Sequence, residues 1–408
     1  EYAMRVTPID ERTSAVLDVM RWVAALVVVL THINDQVFLS MVETPEQSRT
    51  LAFMVWTLIS ASGNEAVIVF FVISGYLVGG AALAEFLRDG DIKLSNYMLR
   101  RCARLYTVLI PALVIGATLD IAGSQLSGGE SVYAERLHHL TLAGFLGNLF
   151  YLQNIFVETF GTNDALWSLT NEFFYYVLCG VALYALSKNR RPLQRLGLLA
   201  LLGGICWLIF PKILLFGTLW LLGMALRVLP LRRTLPVTLS VGQFLLTLLA
   251  IRVFFDWEWR DTLAAHYGVS LSTAVSFALL IVSLQARPSN DSRALPLLVR
   301  HPFNRFAADF SYTLYATHFP FIMFVIALSE TLFGLGWRSA YTGGWELALV
   351  LLLIVAVMVY AWLMFLAFES RTRRVYEWMR SLRDSLLASL RLRVARRTGE
   401  PLGQVNEI

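Results

Sequence analysis

The chain is 408 residues long, 57% of them hydrophobic and only 15% charged, with a formal net charge of +5. Soluble domains carry about a quarter charged residues, so the composition excludes an ordinary soluble enzyme and points to an all-α integral membrane protein. The three cysteines, Cys102, Cys179 and Cys206, all fall in or beside apolar segments, which excludes an exported disulfide framework.

Ten apolar segments read as transmembrane helices: residues 15–39, 65–86, 104–122, 167–187, 195–210, 213–229, 235–255, 268–286, 310–333 and 345–369. The fifth and sixth are short, are separated by Pro211, and predict a tight helical hairpin. With the N-terminus in the cytoplasm, 27 of the 34 lysines and arginines fall on inner segments and five on outer ones. Arg21 and Arg252 lie within spans. This asymmetry predicts that both termini are cytoplasmic. It also accounts for the positive net charge and gives no argument for nucleic acid as a partner. The expected organisation is a ten-helix membrane domain over residues 1–369 and a basic amphipathic cytoplasmic tail over 370–408. In the tail, Val375, Trp378, Met379, Leu382, Leu386, Leu387 and Leu390 recur at helical spacing among arginines, a pattern that lies on an anionic bilayer surface.

The first span, LDVMRWVAALVVVLTHI, contains Arg21 and His32. Eleven residues make about three helical turns, so the two side chains share one face and lie about 16 Å apart along the axis. Ionisable groups inside a membrane helix are costly and usually functional. The ordinary alternative is a snorkelling arginine and a histidine bonded to a neighbouring helix. The second span carries FFVISGYL, with Ser74 and Tyr76; here the alternative is a small-residue notch for helix packing. YMLRRCARLY sets Arg100, Arg101 and Arg104 at the inner mouth of the third span, placed to hold phosphates or simply to fix topology. The outer segment 123–166 includes an apolar run that reads as a re-entrant or interfacial helix. WSLTNEFFYY opens the fourth span with Trp167 and puts Glu172 several residues into an apolar helix, as a functional carboxylate or as a structural partner for an interior cation. FSYTLYATHFP places Tyr312, Tyr315 and His318 in the ninth span, where Pro320 predicts a local opening of the backbone.

No metal-ligand spacing, nucleophile elbow, P-loop or dinucleotide fingerprint occurs, so no metal is expected and any chemistry belongs to the helical bundle. The ordered set of segments resembles the membrane-bound acyltransferase-3 family, whose members O-acylate glycans, antibiotics and other surface molecules. LDVMRWVAALVVVLTH resembles its arginine-ten-residues-histidine element, with Asp18 in place. FFVISGYL, RRCARLY, WSLTNEFFYY and FSYTLYATHFP resemble the elements that follow it, and Glu369 closes the last span.

The resemblance implies an acyl-CoA donor, most often acetyl-CoA, reaching a multi-pass protein of a bacterial inner membrane from the cytoplasm. It further implies a hydroxyl acceptor on a glycan or related molecule. In that reading Arg100, Arg101 and Arg104 hold the nucleotide phosphates, and the pantetheine arm runs past Arg21 to present its thioester near His32. His32 is the candidate general base, or alternatively the carrier of a covalent acyl group. Glu172 and Asp18 orient or charge-stabilise their partners. Ser74, Tyr76 and Arg21 hold the pantetheine or the oxyanion, and Trp167, Tyr312 and His318 are candidates for contacting the acceptor. The competing class is a proton-coupled polytopic transporter, which would use the same buried Arg, His and Glu as a relay.

Overall fold

The computed structural model describes residues 9–40, 43–127, 133–229, 235–254, 262–286, 296–334, 341 and 344–398. Its described residues are helical almost throughout, with no strand among them. In chain order the helices are α1 (Glu11–Val37), α2 (Leu51–Ser60), α3 (Gly63–Ser74), a π-helical turn (Gly75–Gly79), α4 (Gly80–Asp89), α5 (Leu94–Leu126), α6 (Tyr133–Arg136) and α7 (Leu142–Leu149). There follow α8 (Trp167–Leu186), α9 (Pro192–Leu208), α10 (Lys212–Ala225), α11 (Val237–Phe254), α12 (Leu263–Gln285), α13 (Leu297–Arg300), α14 (Pro302–Asp309), α15 (Ser311–Phe333), α16 (Trp345–Ala367) and α17 (Thr372–Thr398).

Among the described residues, eight stretches are long and apolar enough to cross a bilayer, and nine if the bent pair α9–α10 is counted as one. The expected ten spans are corrected at this pair. Helices α9 and α10 are 17 and 14 residues long and meet at 115°. At helical rise they reach only about 26 and 21 Å, short of a hydrocarbon core of about 30 Å. Arg195 near the start of α9 bonds the carbonyls of Ala185 and Ser187, while Arg227 just after α10 lies over Tyr76. The pair therefore leaves and returns near one end of the bundle, the end that carries Arg100, Arg101 and Arg104. Glu369, just beyond α16, meets Arg104 at this same basic end.

The core forms around α3 and the π-turn. Glycines let α10 approach to backbone contact: a Cβ on Gly75 would sit 1.9 Å from the Trp220 carbonyl oxygen, and one on Gly223 would sit 2.1 Å from that of Val72. Close approach through small residues is how membrane helices gain packing without a hydrophobic driving force between them. The notch reading of FFVISGYL thus holds for Gly75.

Helix α15 runs unbroken through Pro320 rather than opening. Proline has no N–H to offer the carbonyl four residues earlier. That carbonyl, of Ala316, instead accepts from Asn163 Nδ2 at 2.9 Å. The segment that supplies Asn163 is the expected re-entrant region, which contains α6, α7 and a loop and makes no full span. Buried Asp120 fixes the loop by accepting from the Thr162 N–H at 2.8 Å and the Thr162 hydroxyl at 2.6 Å. The tail forms the helix α17, joined to the start of α5 by Arg383, which donates to Ser95 Oγ at 2.9 Å and Asn96 Oδ1 at 2.6 Å. Trp378, Leu382, Leu386 and Leu390 remain exposed along it.

Candidate active site

A cavity of about 360 Å³ runs into the bundle from the basic end. Its lining brings together Arg21 of α1, Ser74 of α3, Arg101 and Arg104 of α5, Glu172 and Tyr176 of α8, and Asp309, Tyr312 and Tyr315 around the start of α15. Val67 and Val78 both line it, eleven residues apart on one helical rod, which makes it about 16 Å long at helical rise.

Midway along lies a compact polar cluster. Ser74 Oγ donates to Glu172 Oε1 at 2.8 Å and lies 3.0 Å from the Tyr176 hydroxyl. Tyr176 also donates to Glu172 Oε1, and Trp220 Nε1 donates to Ser74 Oγ at 3.1 Å. Ser74 is the last residue of α3 before the π-turn. Such turns disturb the regular i→i−4 ladder and recur at functional sites. Here the turn lets Gly75 press against α10 while Ser74 faces the carboxylate. Glu172 thus has hydroxyl donors but no salt-bridge cation among the described residues, unlike the structural ion pair that its sequence context allowed.

The three arginines at the mouth differ from one another. Arg104 Nη2 lies 3.4 Å from Glu369, whose side chain is 3% exposed, and Thr313 Oγ1 donates to the same carboxylate at 2.5 Å. Its guanidinium also lies 5.5 Å from the centre of the Tyr312 ring. Arg21 lies 3.9 Å from Asp18, a long contact that leaves most of its hydrogen-bonding capacity open. Arg101 has no carboxylate partner among the described residues. It lies 5.8 Å from the centre of the Tyr176 ring, and its Nε is buried without a hydrogen bond.

Several expected site residues lie elsewhere. Arg100 points to the surface and pairs with Glu85 at 3.7 Å. Tyr76 is fully buried on the opposite side of its helix, where its hydroxyl accepts from Gln285 Nε2 at 3.0 Å and Arg227 covers its ring. Trp167 packs edge-on against Phe71 at the cavity wall, with ring centres 6.4 Å apart. His32 and His318 do not line the cavity, but the fold brings them together. Their rings meet edge to face at 5.1 Å, and Phe319 packs on His32 at 4.4 Å. His318 is fully buried, and its Nδ1 lies 2.9 Å from the Leu314 carbonyl oxygen. A carbonyl only accepts, so Nδ1 carries the proton. Sequence reasoning had not singled out Asp309, Ser168 or Tyr176 as site residues. Tyr176 stands in the quoted WSLTNEFFYY run, whereas Asp309 follows a Pro- and Arg-rich loop and gave no local signal.

The family model described as "Acyltransferase domain" (Acyl_transf_3) matches residues 15–366. The chain is 26% identical over 364 residues to "Acyltransferase MdmB" of Streptomyces mycarofaciens, covering 83% of this chain and 87% of that protein. It is 26% identical over 185 residues to a putative O-acetyltransferase of Staphylococcus aureus strain COL, covering 44% of this chain and 26% of that one. An O-acetyl transferase of Shigella phage Sf6 is 29% identical over 136 residues, which is 32% of this chain and 38% of the phage protein. The match thus spans most of the Streptomyces relative but well under half of the other two. No solved structure matches.

Proposed function

The chain belongs to the acyltransferase-3 family and is a multi-pass O-acyltransferase rather than a transporter; from this premise we propose that it moves an acetyl group from acetyl-CoA, or a related acyl group from its CoA ester, to a hydroxyl of a carbohydrate or similar acceptor. The observation that carries the reading is the cavity. It opens among arginines, is about as long as a pantetheine arm, and ends one helical turn short of the His32–His318 pair.

In this reading the basic end faces the cytoplasm of a bacterial inner membrane, and both termini lie on that side. The nucleotide phosphates bind at Arg101 and Arg21, which have hydrogen-bonding capacity to spare, more than at Arg104, which is paired with Glu369. The pantetheine arm passes Ser74 and Glu172. Neutral His32 accepts the proton of the acceptor hydroxyl as its oxygen attacks the thioester carbonyl carbon. The tetrahedral intermediate collapses with cleavage of the C–S bond. The proton passes from His32 to the departing thiolate, giving the ester and free CoA. His318, with Nδ1–H fixed on Leu314 and a buried Nε2 without a hydrogen-bond partner, buttresses His32 edge to face. Asp18 holds Arg21 in place.

Purified protein incubated with labelled acetyl-CoA and a panel of glycan and small-alcohol acceptors tests the proposal. Acceptor-dependent release of CoA with label in an ester supports it. No release with any acyl-CoA would sink the donor assignment.

A further inference from the structure

His32 and His318 lie outside the cavity, and its end nearest to them is closed by residues of α8, α15 and α3. At the inner end of the cavity Ser168 Oγ of α8 and the Tyr315 hydroxyl of α15 lie 2.6 Å apart, both residues buried. Phe70 of α3 packs edge-on against the Tyr315 ring with centres 5.7 Å apart. All three residues line the cavity. His318 stands one turn further along α15, about 4.5 Å at helical rise, and its ring centre is 6.3 Å from that of Tyr315. His32, on the other side of His318, is partly exposed although it does not line the cavity, and Asp35 one turn on is exposed. His32 thus has exposed surface outside the cavity, one turn from exposed Asp35.

We propose that the Ser168–Tyr315 hydroxyl pair, backed by Phe70, is the septum between the donor cavity and the acceptor compartment, and that it decides whether an acyl group is transferred or lost to water. The inference rests on the donor reading above. A thioester at the end of the cavity meets an aromatic ring and two hydroxyls bonded to each other. A single bond between neutral hydroxyls is among the weaker hydrogen bonds, so it can break and reform in each turnover. Rotation of the Tyr315 side chain opens the path without moving a helix. While it is closed, no water line connects the two faces of the membrane past the thioester, which is the general benefit of a closed active site.

The test uses variants that remove the bond and keep the bulk, Ser168→Ala and Tyr315→Phe, beside Tyr315→Ala, which removes the ring. With labelled acetyl-CoA the quantity read is the ratio of acceptor-independent hydrolysis to transfer. A septum role predicts a rise of about fivefold or more in the first two variants, the scale of one lost neutral hydrogen bond, and a larger rise in Tyr315→Ala. A purely structural role would lower both rates together and leave the ratio unchanged, which overturns the proposal. A second readout is independent of activity. Leu169→Cys, on the cavity wall, is introduced into a chain with Cys102, Cys179 and Cys206 replaced by alanine. A membrane-impermeant maleimide should reach it from the arginine side only. Adding Tyr315→Ala should open it to the opposite side. Labelling from both sides with Tyr315 intact, or from one side only without it, overturns the septum. If wild-type protein uses no acyl-CoA, the donor reading fails, and this labelling pattern still decides whether the two compartments are divided here.

Discussion

Arg101→Ala and Arg104→Ala remove the same charge from the same mouth, three residues apart, yet the structure predicts different failures. Arg104 faces Glu369, a carboxylate whose side chain is only 3% exposed. Stranding one partner of a fully buried ion pair costs about 3–5 kcal/mol. Arg104 itself is 41% exposed, so solvent screening reduces the expected loss to about 1–2 kcal/mol. In a thermal melt in detergent that is a fall of a few degrees. Arg101 has no such partner and keeps a buried Nε unbonded. Removing it should leave the melting temperature nearly unchanged. A charge-assisted hydrogen bond to a phosphate contributes about 1.5–3 kcal/mol, so the KM for acetyl-CoA should rise about 10- to 150-fold while kcat changes little. The wild-type advantage should shrink as salt is raised, because contacts at an open mouth are screened. Side-by-side melts and donor titrations of the two variants decide the matter. An unchanged KM in Arg101→Ala, or equal losses of melting temperature in both, would refute the division of labour.

Three further outcomes follow from the packing. Glu172→Gln keeps the shape that accepts the Ser74 and Tyr176 hydroxyls, so acetyl transfer should fall about 100-fold while the melting temperature holds; a drop in stability that accounts for the whole loss would make Glu172 structural. Gly223→Ala drives a methyl to 2.1 Å from the Val72 carbonyl, and the overpacking should destabilise by about 1–3 kcal/mol or more, whereas Gly204→Ala, with nothing within 4 Å, should melt like wild type. Glu65→Ala removes the buried carboxylate to which Arg252 donates at 2.8 Å and leaves the guanidinium on the Ala61 carbonyl, so the melting temperature should drop as for loss of about 3 kcal/mol, and a variant as stable as wild type would show that the pair does not hold α11 to α3.

Much of the cavity lining was legible in the sequence because membrane chemistry is sparse: a polar group in an apolar run announces itself. Arg21, Ser74, Arg101, Arg104, Glu172 and Tyr312, drawn from five separate motifs, do line one cavity. What the sequence hid were matters of direction and partnership. Ser74 and Tyr76 are two positions apart, about 200° around a helix, so the two cannot share a face, and it is Ser74 that lines the cavity. The partnership of Arg104 with Glu369 joins residues far apart in the chain, so no local pattern carries it. The 16 Å separation of Arg21 from His32 was readable from helix geometry, but the Ser168–Tyr315 pair at the end of the cavity joins two other helices and has no local signature. The span count failed at α9–α10 because hydropathy reports an apolar stretch without reporting that it turns back before crossing.

Acyl transfer from a CoA thioester with His32 as base is tested most directly by acceptor-dependent CoA release from labelled acetyl-CoA by purified wild-type protein and by His32→Ala, with matched melting temperatures. Wild type should give labelled ester and stoichiometric CoA, and His32→Ala should lose at least about 100-fold at saturating donor. Turnover by His32→Ala near the wild-type rate would contradict it.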